Sequence, residues 1–128
     1  MDNRSKLFEC VKKMEEDVGM KKWDQLAVYF TDDFKYKVAN KPVAHGVEGL
    51  KQYMLWQNAL VLWKGHEIHL VAEQDHVLVV EVTSFFQRLA DEKVISIPCT
   101  DIYRFRGKKI YDWRVYADIS WFDQTVIT

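Results

Sequence analysis

Apart from a short alternating stretch at Phe34 to Val38, the apolar residues of this chain change their spacing near Gly65, and that change constrains the fold more than any single motif. Ahead of Gly65 they recur every three or four positions. Beyond it they alternate, one in and one out, through four successive segments. The first period marks one face of a helix and the second one face of a strand. The spacing therefore predicts three helices with a short strand among them, then four strands joined by tight turns. Helices gathered on one side of an antiparallel meander make an α+β domain.

Leu7, Val11, Met14 and Val18 form the stripe of a first helix that starts near Ser5 and ends at Gly19. Trp23, Leu26, Ala27 and Phe30 share a face of a second helix. Thr31-Asp32-Asp33 then turns the chain into a strand where Phe34, Tyr36 and Val38 alternate with Lys35 and Lys37. Asn40, Pro42 and Gly46 mark a loop, and a third helix runs from about Val47 to Leu60. The four strands cover His66 to Glu73, Val77 to Leu89, the run from Ile95 to Phe105, and Lys109 to Asp118. A strongly bent, mainly antiparallel sheet packed with three N-terminal helices gives a cone-shaped α+β barrel, here one domain over 1–128. A conical interior of that kind suits a small molecule.

Within the third of these strands, Ile95, Ile97, Cys99, Asp101, Tyr103 and Phe105 share the apolar face. A carboxylate on such a face must find a partner or become neutral, and a neutral buried acid is a proton donor. In the preceding strand, Val80, Val82, Ser84 and Phe86 are assigned inward because the opposite set contains Glu81. A slip of one residue would bring Glu81 inside beside Asp101. The expected chamber is lined by Tyr36, Val38, Tyr53, Val82, Ser84, Phe86, Cys99, Asp101, Trp113 and Val115, with Trp56 placed to stack on a hydrophobic ligand. Tyr36 and Tyr53 offer hydroxyls. His45, just before the third helix, either reaches the chamber mouth as a base or bonds to backbone in its loop.

The 128 residues carry a net charge of −1 with acids and bases interspersed, which argues against nucleic acid as a partner. No run is long and apolar enough to span a bilayer, and the N-terminus leads into a mixed-charge helix. Cys10 and Cys99 suggest no disulfide framework, so a reducing compartment, most simply the cytoplasm, is expected. His66 and His69 differ by an odd number on a strand and point apart, so no metal site and no cofactor are expected. The outer sheet face keeps Phe85, Ile102 and Tyr116, which suggests a homodimer through that face.

Four groups of residues bear a resemblance in their order and spacing. They are Tyr29-Phe30-Thr31-Asp32-Asp33, Ala44-His45-Gly46-Val47-Glu48-Gly49-Leu50, Asp101-Ile102-Tyr103-Arg104-Phe105 with Gly107-Lys108-Lys109-Ile110, and Trp113-Arg114-Val115-Tyr116-Ala117-Asp118. Over almost its whole length the chain resembles the nuclear-transport-factor-2-like superfamily, in particular its SnoaL-like, ketosteroid isomerase-like and limonene epoxide hydrolase-like branches. The resemblance implies a cone-shaped barrel, often dimeric. Asp101 stands where ketosteroid isomerases have an acid that donates a hydrogen bond to the substrate oxyanion. Their base falls near Val38, which takes no proton, and their oxyanion tyrosine near Met14. The catalytic Arg-x-Asp pair and later Asp of limonene epoxide hydrolases fall on Val82, Ser84 and Val115, while Tyr36 and Trp113 match their water-positioning tyrosine and a tryptophan. Three functions stay open: an enzyme with Asp101 as general acid on a hydrophobic polycyclic, polyketide or terpenoid-like molecule, a carrier of such a molecule, and an interaction module.

Overall fold

A computed structural model describes residues 5–123. Helix α1 spans Lys6–Gly19 and a 3-10 helix spans Trp23–Tyr29. Strands β1 (Phe30–Val38) and β2 (Ala44–His45) precede helix α2 (Gly46–Asn58). Strands β3 (Val61–Gln74), β4 (Val77–Arg88), β5 (Val94–Arg106) and β6 (Lys109–Ala117) follow, and a short 3-10 helix, Ile119–Phe122, comes last among the described residues. The six strands form one open sheet in the order β2-β1-β6-β5-β4-β3. All neighbours are antiparallel except β1 and β6. No described helix is long and apolar enough to cross a membrane.

The predicted period change holds, with four corrections. The second helix is a seven-residue 3-10 helix, because its covered residues, Trp23, Leu26 and Tyr29, recur every three positions. Among the described residues two α-helices form, and α2 comes after two strands, so a set of three N-terminal helices does not describe them. Strand β1 starts at Phe30, and Asp32 and Asp33 are exposed in its irregular stretch rather than forming a turn. Strand β3 starts at Val61, five residues ahead of the expected start, because the apolar run Leu60 to Trp63 continues the sheet instead of the helix. β3 is an edge strand with two irregularities in its pairing, a device that bends edges and blunts further pairing.

Ser5 caps α1, its hydroxyl accepting from the Phe8 N–H at 3.0 Å. Val11 and Met14 are fully buried in the core. The assigned side of β4 is confirmed: Val80, Val82, Ser84 and Phe86 are buried and Glu81 is exposed. Residues Leu78 and Arg88 extend the same buried face. In β6 a bulge at Tyr111 lets Ile110 pair with Phe105 and turn inward, so Tyr111 lies instead under the Arg106 guanidinium, 4.5 Å from its ring centre. At the far hairpin Asp75 and His76 both have positive φ, 52° and 64°, the backbone of a two-residue turn matched to the twist of its strands.

Candidate active site

The buried side of the sheet holds a continuous run of aromatic rings. Tyr103 stacks on Trp113 with centres 5.1 Å apart, and Trp113 meets Tyr36 at 4.6 Å. Tyr36 meets Tyr53 edge-on at 5.4 Å, Tyr53 meets Trp56 at 5.6 Å, and Trp56 meets Phe122 at 6.4 Å. Phe122 closes the run against Phe86 at 4.8 Å.

Between these rings lies a cavity of about 40 Å³, lined by Tyr36, Val38, Tyr53, Ser84, Phe86, Cys99 and Val115 together with Gln57, Ile97, Ala117, Ile119 and Phe122. That is space for about one water. The chamber is far narrower than the strand pattern suggests. Its mouth is filled by Ile119 and Phe122, from a segment beyond the last strand that the strand pattern does not reach. Phe122 is only 2 % exposed. Its turn is fastened by Arg88, whose Nη1 donates to the Trp121 carbonyl at 2.8 Å while Nε and Nη2 bind both oxygens of Asp91 at 3.0 and 2.8 Å. The Arg88 side chain is covered, but it sits at the rim of the fold rather than in its depth.

Asp101 is not part of the cavity lining. It pairs with Val115 across one strand boundary and with Val80 across the other, one inward position beyond Cys99. The residue keeps a little accessible surface, yet its carboxyl lies deep among protein atoms, and it is this depth that governs its ionisation. Burial pushes its pKa up to about 7; the Trp113 indole N–H and the Cys99 thiol act the other way. Both are weak partners. The thiol is 3.8 Å from Oδ1, and the indole N–H closes no hydrogen bond of ordinary geometry. Among the described residues no salt bridge includes Asp101: Arg88 is taken by Asp91, and Arg104 and Arg114 by Asp112 on the outer face.

The structure brings a second acid to this interior that the sequence reading passed over. The Tyr103 hydroxyl donates to Glu15 Oε1 at 3.1 Å. Burial pushes the Glu15 carboxyl up to about 7, the nearby negative Asp101 raises it further, and the Tyr103 donor opposes both. The signal was present. Glu15 lies four residues after Val11 and three before Val18, so it falls on the apolar stripe of α1, just as Asp101 falls on the apolar face of β5.

Other candidates divide. Tyr36 and Tyr53 line the cavity, and burial holds the Tyr36 hydroxyl well above its ordinary value, so it stays a donor. The Tyr53 hydroxyl is buried without a hydrogen-bond partner. Cys99 lines the cavity with its thiol pushed up by burial, which makes it inert packing rather than a nucleophile. Val82 and Trp113 are buried in the core around the cavity rather than on its wall. Trp56 lines an open groove of about 510 Å³ at the mouth, where the Lys41 ammonium sits 3.7 Å from its ring centre. His45 is not brought to the chamber: it is exposed at the sheet edge, paired with Lys35 and heading α2. His69 binds the Thr83 hydroxyl at 2.8 Å on the sheet surface. Among the described residues no group of three His, Cys, Asp or Glu is placed to hold a metal ion.

A six-stranded, mostly antiparallel open sheet with accompanying helices is the frame of the nuclear-transport-factor-2-like folds. More narrowly, the chain belongs to the SnoaL-like domain family, whose pattern matches residues 11–113. No curated protein sequence matches it. Among solved structures it is similar to a Pseudomonas putida protein described as a polyketide cyclase, at 15 % identity over 96 % of this chain and 100 % of that one, TM-score 0.77. It is similar to a nuclear-transport-factor-2-like protein of unknown function from Burkholderia pseudomallei, at 10 % identity over 90 % and 92 %, TM-score 0.78. A Catenulispora acidiphila protein of ketosteroid isomerase-like fold, solved with trimethylamine, matches at 16 % identity over 89 % and 88 %, TM-score 0.75. At these identities the likeness is one of fold.

Proposed function

We propose that this protein is a small, cofactor-independent enzyme that protonates a hydrophobic polycyclic, polyketide or terpenoid-like molecule, with Asp101 as the general acid. The observation that carries the reading is a buried carboxyl that pairs with no cation among the described residues, one inward strand position beyond Cys99, which lines the aromatic-walled cavity. Such a group is half-protonated near neutral pH, where a general acid works best. Tyr36 and the unpartnered Tyr53 hydroxyl supply hydrogen bonds to a ligand oxygen. Isomerisation, cyclisation and epoxide opening all use this step. The description of a Pseudomonas putida structural relative as a polyketide cyclase agrees with it.

A ligand larger than water requires Phe122 and Ile119 to move out of the mouth, so binding is coupled to release of the Arg88-anchored turn. The sheet and its aromatic lining then form the cone-shaped barrel wall. Half-buried Phe85 and Ile102, with Tyr116 exposed at 53 %, support a homodimer across the outer face.

The test is solvent-deuterium incorporation. The protein is incubated in D2O with a panel of hydrophobic enolisable ketones, and carbon-bound deuterium in the recovered ketone is read by mass spectrometry. Deuterium entering a substrate with the wild type and not with Asp101→Asn supports the reading. Equal incorporation with both proteins contradicts it.

A second reading rests on one observation. The chamber is nearly filled by the protein's own side chains, which favours a non-catalytic interaction module. It predicts that no ligand from the panel binds even when Phe122 is removed.

A further inference from the structure

Asp101 and Glu15 come from different elements, β5 and α1, and converge on one interior. Glu15 reaches it through Tyr103, which is fully buried and accepts no solvent contact. Tyr103 and Asp101 occupy successive inward positions of β5, about 7 Å apart along the strand. The titratable groups facing the pair are Tyr36 from β1 and Cys99 and Tyr103 from β5, with Tyr53 of α2 beside Cys99. β6 contributes Trp113 and Val115, and β4 contributes Val80, none of which titrates. Every one of these groups is neutral or becomes negative. Among the described residues no salt bridge includes Glu15 or Asp101. Two carboxyls that share a dry, cation-free interior cannot both ionise cheaply.

We infer that Glu15 is the positioning residue of this site: it and Asp101 hold one proton between them around neutral pH, and Glu15 thereby sets the pH range in which Asp101 can donate. The inference rests on the reading of Asp101 as the acid. Glu15 does not touch the cavity and acts through Asp101. When Asp101 gives up its proton, its new charge strengthens the hold of Glu15 on a proton, so a second negative charge in the interior is disfavoured at neutral pH. When Glu15 is ionised instead, Asp101 keeps its proton. Repulsion of this kind is reciprocal, because each charge acts on whichever carboxyl ionises second. It accounts for an acid on the apolar stripe of α1 where a leucine would pack better. It also gives the phenol of Tyr103 a role, as the donor that opposes the upward shift of the Glu15 carboxyl.

The experiment is a carbon-13 NMR titration of the side-chain carboxyls in the wild type, Glu15→Gln and Asp101→Asn. The wild type should show two coupled steps, each sensed by both residues. Glu15→Gln should leave Asp101 with one step, its midpoint lower by about one unit, the scale of a single nearby charge in a dry site. Asp101→Asn should lower the Glu15 midpoint by the same amount, since the coupling is mutual. This second variant decides the matter if Glu15→Gln does not fold. An Asp101 midpoint that stays put in Glu15→Gln, or a Glu15 midpoint that stays put in Asp101→Asn, overturns the inference. Failure of the underlying reading has a different signature: an ordinary Asp101 midpoint in the wild type itself.

Discussion

Replacing Asp101 by Asn should stabilise this protein, and only above the carboxyl's titration. In the fold Asp101 ionises at about 7 instead of 3.8, because burial penalises the charge. The folded value is raised, so the native state binds this proton more tightly than the unfolded chain does. Its contribution to stability is complete below about pH 4 and is lost as pH rises through 7. A shift of about three units corresponds to about 4 kcal/mol. Residual solvent access and relaxation around the carboxyl reduce what is realised, so about 2–4 kcal/mol is the working range. Asn has the same shape and never ionises. At about pH 4 the two proteins should agree within about 0.5 kcal/mol, the usual spread for a near-isosteric change. At about pH 8 the variant should be the more stable by the full amount, and relief of Glu15 adds in the same direction. The assay is urea unfolding followed by circular dichroism at both pH values, with equal slopes required. A variant that is less stable at pH 8, or stabilised equally at both pH values, would refute the reasoning.

Phe122→Ala should destabilise by about 2–4 kcal/mol, since a buried ring is lost from a short terminal turn, and should open the mouth; thermal melts and binding of a fluorescent hydrophobic dye check both effects. Arg88→Met should lower the melting temperature and increase dye binding without reaching the chamber floor, because Asp91 and the Trp121 carbonyl lose their partner; unchanged dye binding would separate the latch from the mouth. Glu81→Gln should alter stability by less than about 0.5 kcal/mol and leave the Asp101 titration alone, since Glu81 faces solvent. Tyr116→Glu should lower the apparent mass in light scattering if the outer face joins two copies.

Much of this architecture is written in the period of the apolar residues. Alternation across Ile95 to Phe105 places Asp101 inward, and the absence of charge from Val80, Val82, Ser84 and Phe86 picks their side of β4 correctly. Where local pattern is ambiguous the reading slips. Leu60 to Trp63 is equally apolar as helix or strand, and only pairing with β4 decides for strand. The bulge at Tyr111 reverses one residue without any local mark. The Trp23–Tyr29 stretch shows an apolar face at either three or three-and-a-half residues per turn. The size of the chamber was not legible at all, because it depends on a short segment after the last strand reaching back across the mouth. Glu15 was legible in principle, since the argument that singles out Asp101 applies equally to an acid between Val11 and Val18.

The claim on which the account turns is that the Asp101 carboxyl stays protonated up to neutrality because its surroundings give it no charge to pair with. Its carbon-13 carboxyl resonance, assigned by its disappearance in Asp101→Asn and followed from acid to mild alkali, measures that directly. The account predicts a transition midpoint at about 7. A midpoint at or below the ordinary carboxylate value of about 3.9 would contradict it.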